Sequence, residues 1–531
     1  MAWILKFFPG LQHFIDGDSL SFILYAVDGM EISVEKIKSM GWSTNSGEGA
    51  IQYETVSIDS RTVDAETIFF AYDGLKNPGK SFIVEAAQKG APAVFVDAKY
   101  MHEITENLSQ SARKVRLFFS PDFPSQAGLM ISALYDNPSL KMKCIGVTGT
   151  NGKTTTAWAI YSILKKLQKK PSYIGTIGIE LPGASLTAKL TTPPVDELQK
   201  YLYQAASQGG DYAIMETSSH GLKQGRLFGV NFCMGLFTNL TEDHRDYHHS
   251  VEDYLNSKKI LFERVMKFFR DNPDKPCGAI INVDDPYGRE IYDWIKTCDK
   301  NFPVTSFGKN GDFRICSIKP SWNGYAAQIE FEEKKFNLQT RFIGNFNIYN
   351  LGMAFAALLQ LGFLTEDILP LFDELAVVPG RMEVHQKSNG ALVVIDYAHT
   401  PDALKKALET LGELKPEKIH VLFGCGGDRD QAKRSEMGKI AEQWADQVIL
   451  TNDNPRSEDP EKIMQQIESG MKKKNHLVIY DRKEAIRKSL QKIDSGSVLL
   501  VAGKGHEDYQ ILPGGRIHFS DREVIQEALR E

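Results

Sequence analysis

Eleven residues, Gly146-Val147-Thr148-Gly149-Thr150-Asn151-Gly152-Lys153-Thr154-Thr155-Thr156, constrain this chain more than any other segment. An apolar run from Cys144 to Val147 enters a glycine turn, and the turn opens a helix beginning near Lys153. Strand, turn, lysine and helix in that order set a strand end against a helix N-terminus. Backbone N–H groups there point outward, carry partial positive charge and hold phosphate. Gly149 and Gly152 let the backbone come close to the phosphates, Lys153 reaches the terminal ones, and the Thr154 hydroxyl suits Mg2+. The general phosphate-loop pattern has glycine five positions before Gly152, where this chain has Val147. The shorter form Gly149-Thr150-Asn151-Gly152-Lys153-Thr154 carries the match, against the plainer reading of an ordinary glycine-rich turn.

The chain has 531 residues, enough for about three domains. A net charge of −6 gives no general attraction to nucleic acid or anionic membrane, so neither is an expected partner. Six cysteines (144, 233, 277, 298, 316, 425) lie without paired spacing, which argues against a disulfide framework or zinc site and fits a reducing cytoplasm. No apolar run approaches the roughly 18 residues of a membrane span. Met1 to Gly10 is apolar but short, broken by Lys6, Pro9 and Gly10, and lacks the layout of a secretory signal. Residues 1–30 read as a possible extension of the first domain.

Three α/β regions follow from the pattern of apolar runs. Residues 1–139 mix strands (Ala93 to Val96, Val115 to Phe119) with helix (Phe82 to Gln88). Residues 140–386 carry near-continuous apolar runs at Tyr173 to Ile179, Tyr212 to Met215, Cys233 to Phe237 and Gly278 to Ile281. Such runs, alternating with helices, predict a buried parallel sheet. Residues 312–342 alternate and read as a small antiparallel subsheet, and Gly344 to Gly362 reads as a long helix. After a break at Val378-Pro379-Gly380, residues 387–531 form a third series: Leu392 to Ile395, His420 to Phe423, Gln447 to Leu450, Leu477 to Tyr480 and Val498 to Ala502. This predicts a second, Rossmann-like open sheet with ligands beyond the carboxyl ends of its strands.

Glu216 ends the run Tyr212 to Met215, next to the phosphate loop, where an acid is placed to hold Mg2+ or to cap the following turn. His244, in Asn239-Leu240-Thr241-Glu242-Asp243-His244, reads by itself as a surface or core histidine. Lys258, fourteen residues on, reads by spacing alone as a solvated helix lysine.

Together these segments resemble the Mur ligases, which build the peptide stem of the bacterial cell wall, over about residues 50 to 531. The similarity is greatest to the MurE type, which adds the third stem residue to UDP-N-acetylmuramoyl-L-alanyl-D-glutamate. It rests on residues 149–155, Glu-Thr-Ser-Ser-His-Gly-Leu at 216–222, Asp-Tyr-Ala-His-Thr-Pro-Asp-Ala-Leu at 396–404, Phe-Gly-Cys-Gly-Gly-Asp-Arg-Asp at 423–430, Asp-Asn-Pro-Arg at 453–456 and Gly-Lys-Gly-His-Glu at 503–507.

The resemblance implies a uridine-nucleotide-binding first domain, a central ATPase domain and an amino-acid-binding third domain. It implies ATP held by Gly149, Thr150, Asn151, Gly152, Lys153, Thr154, Thr155, Asn347, Arg381, Asp396 and His399, with Arg381 and Asp396 closing the cleft. Mg2+ is implied at Thr154, Glu216, His244 and a Lys258 carbamylated by CO2; an unmodified lysine would repel the ion. The UDP-muramyl-dipeptide is implied at Ser60, Thr191, Thr192, Ser218, Gln224 and Arg226. The stretch Gly74-Leu75-Lys76-Asn77-Pro78-Gly79-Lys80 departs from the family's Asp-Gly-His pattern for uridine contacts. A monomer and a cytoplasmic location are the expectation.

The choice of third residue, L-lysine or meso-diaminopimelate, turns on one carboxylate. Arginine is the planar, two-pronged donor for it. Arg456, within Asp453-Asn454-Pro455-Arg456, matches the family's diaminopimelate signature, with Arg429, Gly503 and Glu507 beside it; the alternative is an idle arginine in an exposed turn. The implied reaction makes an acyl phosphate from the glutamyl carboxylate, then an amide, with ADP and phosphate released. Lys153 and Lys258 are the implied catalytic groups, and His220 or a nearby carboxylate is the base that frees the attacking amine. Folylpolyglutamate synthase shares the Gly-Thr-Asn-Gly-Lys core but lacks the first domain and the Asp-Asn-Pro-Arg segment; a catalytically silent nucleotide switch would have lost Lys258, His244 or Arg381, all present here.

Overall fold

A computed structural model describes residues 29–44, 47–74, 77–108, 115–241, 247–473 and 475–530. The chain divides into two compact units at Phe123/Pro124. His244 and residues 1–28 lie outside the described residues, as do Leu75 and Lys76 of the 74–80 loop.

The first unit holds a five-stranded sheet in the order Ser43–Thr44, Arg116–Ser120, Ala93–Asp97, Thr67–Phe70, Thr55–Ser57, parallel except at Ser43–Thr44. The same unit holds a separate antiparallel pair of strands, Met30–Ser33 and Ala50–Tyr53. An aromatic stack fixes this core: Phe70 and Phe95 stack at 4.4 Å, Phe95 and Phe118 at 4.9 Å, and Trp42 meets Phe95 edge-on at 4.8 Å.

The second unit carries two larger sheets. The central one has eleven strands, in the order Ala184–Leu186, Gly178–Leu181, Pro171–Gly175, Tyr212–Glu216, Lys143–Thr148, Phe232–Phe237, Gly278–Asn282, Val304–Gly308, Phe313–Lys319, Tyr325–Phe331, Lys334–Thr340. The strands from Pro171–Gly175 to Val304–Gly308 are parallel and buried on both faces, which is why most of them read as near-continuous apolar runs. The alternating segment is antiparallel as expected, and it continues the same sheet from the edge of the parallel strands. The run Tyr173 to Ile179 is a correction of a different kind. It is not one parallel strand: Gly175 pairs with Gly178 across a tight turn, and the chain doubles back antiparallel.

The third sheet runs Glu383–Gln386, Leu392–Asp396, Ser497–Ala502, Lys418–Phe423, Gln447–Leu450, His476–Val478, parallel except for its first edge strand. Helix starts are written locally by a capping residue followed by proline. Asp285 caps Pro286–Cys298, Thr400 caps Pro401–Glu413 and Asp459 caps Pro460–Glu468, each accepting a first-turn N–H. A hairpin, Tyr509–Leu512 with Gly515–His518, closes the C-terminal region.

Beneath the third sheet lies an ion pair. Arg482 Nε and Nη2 each donate to Asp521 at 2.7 Å, and both side chains are 0% exposed. Removing one partner leaves a buried charge uncompensated. Arg482→Leu is therefore expected to cost about 3–5 kcal/mol, while the double change Arg482→Leu/Asp521→Leu costs much less. Denaturant unfolding of the purified variants, followed by a C-terminal probe, checks this; equal losses in both would refute it.

Candidate active site

Strand Lys143–Thr148 lies between Tyr212–Glu216 and Phe232–Phe237, and its carboxyl end delivers the glycine turn into helix Lys153–Lys166. Both glycines are required there. Gly149 has φ +146°, and a Cβ on it would lie 1.9 Å from Thr238 Oγ1; Gly152 has φ +88°, and its Cβ would lie 2.2 Å from Asn350 Oδ1. Asn239 clamps the turn: its carbonyl accepts from Thr150 N–H at 2.8 Å and its Oδ1 from Asn151 N–H at 2.9 Å. Lys153 Nζ donates back to the carbonyls of Gly149 (2.8 Å) and Thr150 (2.9 Å).

Glu216 is 1% exposed, beside the loop. Four donors offset the desolvation of its carboxylate. Tyr173 Oη (2.5 Å) and Thr176 N–H (2.9 Å) reach Oε1, and the hydroxyls of Thr154 (2.9 Å) and Thr176 (3.0 Å) reach Oε2. Burial, then the Glu216 charge, push the Tyr173 phenol well above its usual range, so it remains a donor. Lys258 is 1% exposed, against its reading as a solvated lysine, with Nζ 4.3 Å from the Tyr254 ring. Tyr254 Oη lies 3.1 Å from Thr150 Oγ1, so this lysine belongs to the surroundings of the loop. Among the described residues no three His, Cys, Asp or Glu side chains gather as a metal cluster. Thr154 and Glu216 nevertheless present hard oxygens of the kind Mg2+ takes.

A cavity of about 380 Å3 brings together Asn151, Gly152, Thr155, Asn347, Arg381, Asp396 and His399. Asn347 lies in the first turn of helix Asn345–Gln360 and gives its Nδ2 to the Ile343 carbonyl at 2.8 Å. Arg381 spans the two sheets' domains, with Nη2 3.3 Å from Thr154 Oγ1 and the guanidinium 4.6 Å over the Tyr397 ring. Its buried Nε has no partner among the described residues. Met382 follows in the left-handed region at φ +50°, held by its N–H to Asp396 Oδ2 at 2.8 Å. Burial raises the Asp396 carboxyl to about 6, against the opposing charge of Arg381.

A second cavity, of about 930 Å3, joins Lys153, Thr191, Thr192, Ser218, His220 and Arg226 to Arg429, Asp453, Asn454, Arg456, Gly503 and Glu507. On the central side, Thr192 Oγ1 lies 3.0 Å from Ser218 Oγ, and Arg226 Nη1 donates to the Thr192 carbonyl at 2.8 Å. His220 stacks on Tyr247 at 4.1 Å. On the other side, Arg456 is half-buried and sits at φ +54°, with Nη1 donating to Gly427 O at 2.8 Å and its own N–H to Ile511 O at 3.0 Å. Two of the implied residues, Gln224 and Pro455, do not line this cavity; Gln224 is exposed and accepts from Arg226. Ser60, in the first unit, donates to Glu85 at 3.1 Å.

Several residues at the site escape a sequence reading. Fully buried Lys504 donates to Glu507 at 2.9 Å, and Asn454 Nδ2 reaches the same oxygen at 3.0 Å. The lysine between Gly503 and Gly505 was the available signal. His506 lines the large cavity; burial and then the Arg381 charge pull its imidazole down to about 4. Asp402 accepts from Asn151 Nδ2 at 3.1 Å and from Lys406 at 2.9 Å, tying helix Pro401–Glu413 to the phosphate loop. Tyr173 looks in sequence like any core aromatic.

Three family descriptions match successive parts of the chain. These are Mur ligase family, catalytic domain (residues 52–117), Mur ligase middle domain (147–358) and Mur ligase, glutamate ligase domain (380–505). The chain is 36% identical over 480 residues to a UDP-N-acetylmuramoyl-L-alanyl-D-glutamate--2,6-diaminopimelate ligase of Geobacillus kaustophilus, covering 90% of this chain and 94% of the relative. It is 37% identical over 488 residues to the ligase of the same name from Cytophaga hutchinsonii, covering 91% and 96%. A solved structure of such a ligase superposes with TM-score 0.65 at 31% identity, covering 94% of this chain and 99% of the other. A folylpolyglutamate synthase of Mycobacterium tuberculosis shares the fold at 17% identity, TM-score 0.59 and 72% of this chain. With its three segments matched in order and its similarity extending over nine-tenths of its length, the chain belongs to the Mur ligase family and is an ATP-dependent, amide-bond-forming ligase.

Proposed function

We propose that this ligase adds meso-diaminopimelate to UDP-N-acetylmuramoyl-L-alanyl-D-glutamate, forming the UDP-muramyl-tripeptide and releasing ADP and phosphate. The observation that carries the reading is the large cavity. It exposes Lys153 of the phosphate loop, the Thr192, Ser218 and Arg226 group, and the Arg429, Asn454, Arg456 and Glu507 group to one volume. A carboxylate, a transferable phosphoryl group and an incoming amine meet there. The names of the 36%-identical relatives support the same substrates. The six cysteines are all unpaired thiols, and no described helix is long and apolar enough to cross a membrane, which supports placing the enzyme in the cytoplasm.

A free carboxylate is a poor acyl donor, so the glutamyl oxygen first attacks the γ-phosphorus of ATP and ADP departs. The loop N–H groups, Lys153 and Arg381 offset the charge spread over the transferring group. Thr154 and Glu216 would hold Mg2+, which when bound supplies further positive charge at the phosphates. The amine then adds to the acyl carbon, and the tetrahedral centre collapses with loss of inorganic phosphate. The amine must shed a proton. Three imidazoles line the cavity: His506 at about 4 is a weak base, and His399, its Nδ1 2.9 Å from the Tyr397 carbonyl, also lines the smaller cavity, which favours His220. The 1% exposure of Lys258 supports its carbamate form, in which the amine has added CO2 and lost a proton to become an anionic oxygen donor.

Three measurements test this. With oxygen-18 in the glutamyl carboxylate, one labelled oxygen is expected in the released phosphate; label that stays wholly in the amide and carboxylate refutes the acyl phosphate. For the amino acid, Arg456→Ala is expected to lose about 100-fold in kcat/KM for meso-diaminopimelate with the KM for ATP unchanged, because a substrate carboxylate is left unpaired. Wild-type enzyme that uses L-lysine as well as meso-diaminopimelate would overturn the assignment. Carbon-13 NMR of active enzyme equilibrated with labelled bicarbonate should show a carbamate signal that Lys258→Ala lacks; no such signal would remove the modification.

A further inference from the structure

We propose that Tyr173 is a positioning residue that ties one oxygen of Glu216 to the protein and leaves the other to face the cation. The inference rests on the reading of Glu216 as a metal ligand. Tyr173 lies in strand Pro171–Gly175, fully buried, with its ring edge-on to Trp158 at 5.1 Å. The phenol therefore has one direction in which to donate, and Glu216 Oε1 is 2.5 Å away. Thr176 N–H reaches the same oxygen at 2.9 Å. A carboxylate oxygen has two lone pairs, and both on Oε1 are taken by donors that cannot turn away: a backbone amide and a wedged phenol.

Oε2 is different. Its donors are the hydroxyls of Thr154 and Thr176, at 2.9 and 3.0 Å. Hydroxyl hydrogens rotate freely, so Oε2 can give up these bonds and accept a cation while Oε1 stays fixed. Partners that orient a ligand carboxylate in this way typically govern metal affinity 10–100-fold. The same turn that reverses the chain between Gly175 and Gly178 carries Thr176, so the hairpin and the strand before it supply three of the four donors. The plain alternative is a core aromatic whose hydroxyl merely found a partner.

Tyr173→Phe keeps the ring and removes only the hydroxyl. Titration of the full-length enzyme with Mn2+, read by electron paramagnetic resonance with ADP present, is expected to show about tenfold weaker binding in this variant. In ADP release, the Mg2+ concentration for half-maximal rate should rise similarly while kcat at saturating Mg2+ stays within about twofold, a split that general loosening of the core would not give. Wild-type Mn2+ affinity in Tyr173→Phe, with or without a lowered melting temperature, overturns the proposal. Glu216→Gln separates the premise from the inference: if it binds Mn2+ as tightly as wild type, Glu216 is no ligand and both readings fall. If it loses Mn2+ while Tyr173→Phe does not, only the role of Tyr173 fails.

Discussion

A buried carboxylate that accepts four hydrogen bonds holds the working end of the central sheet together. Glu216 ends its strand 1% exposed, where an unpaired charge would not be tolerated. Its partners come from three places: Thr154 from the first turn of the helix, Tyr173 from the neighbouring strand, Thr176 from the hairpin turn. Satisfying one charge thus fixes the helix start, the neighbouring strand and the turn relative to one another. The glycine loop keeps its shape because what lies on either side of it is held, and because Gly149 and Gly152 alone fit between Thr238 and Asn350.

The second constraint is the linker that carries Arg381. Its guanidinium reaches Thr154 on one side and covers Tyr397 on the other. The following residue, Met382, is held in left-handed backbone by Asp396, and a conformation of that kind persists only where its surroundings over-determine it. Arg456 shows the same feature at φ +54°, its backbone paired to the C-terminal hairpin through Ile511. Strain is therefore spent at Arg456 itself and at the residue that follows Arg381, the two arginines assigned to anionic groups in the proposed reaction.

Much of this was legible in the residues. The glycine loop and the parallel apolar runs are local signals, and local physics reads them. Motifs far apart in the chain, such as 216–222 and 453–456, contribute residues to one cavity. What escaped depends on three-dimensional neighbours. The run Tyr173 to Ile179 is apolar but for Thr176, and only the pairing of Gly175 with Gly178 shows that it folds back. Lys258 has the spacing of a solvated lysine, yet the loop and Tyr254 bury it. Lys504 carries no hydrophobic signal at all; its burial follows from Glu507 and Asn454, the latter fifty residues away.

The bond between Asn151 and Asp402 has a wider consequence. It connects the glycine loop to the first turn of a helix that packs on the third sheet, so the two halves share a common free energy. Thermodynamic reciprocity then applies: whatever filling the loop does to the affinity of the distant pocket, filling that pocket does to the loop, by the same factor. Order of substrate arrival, in such a molecule, is a matter of rates rather than of which partner does the persuading.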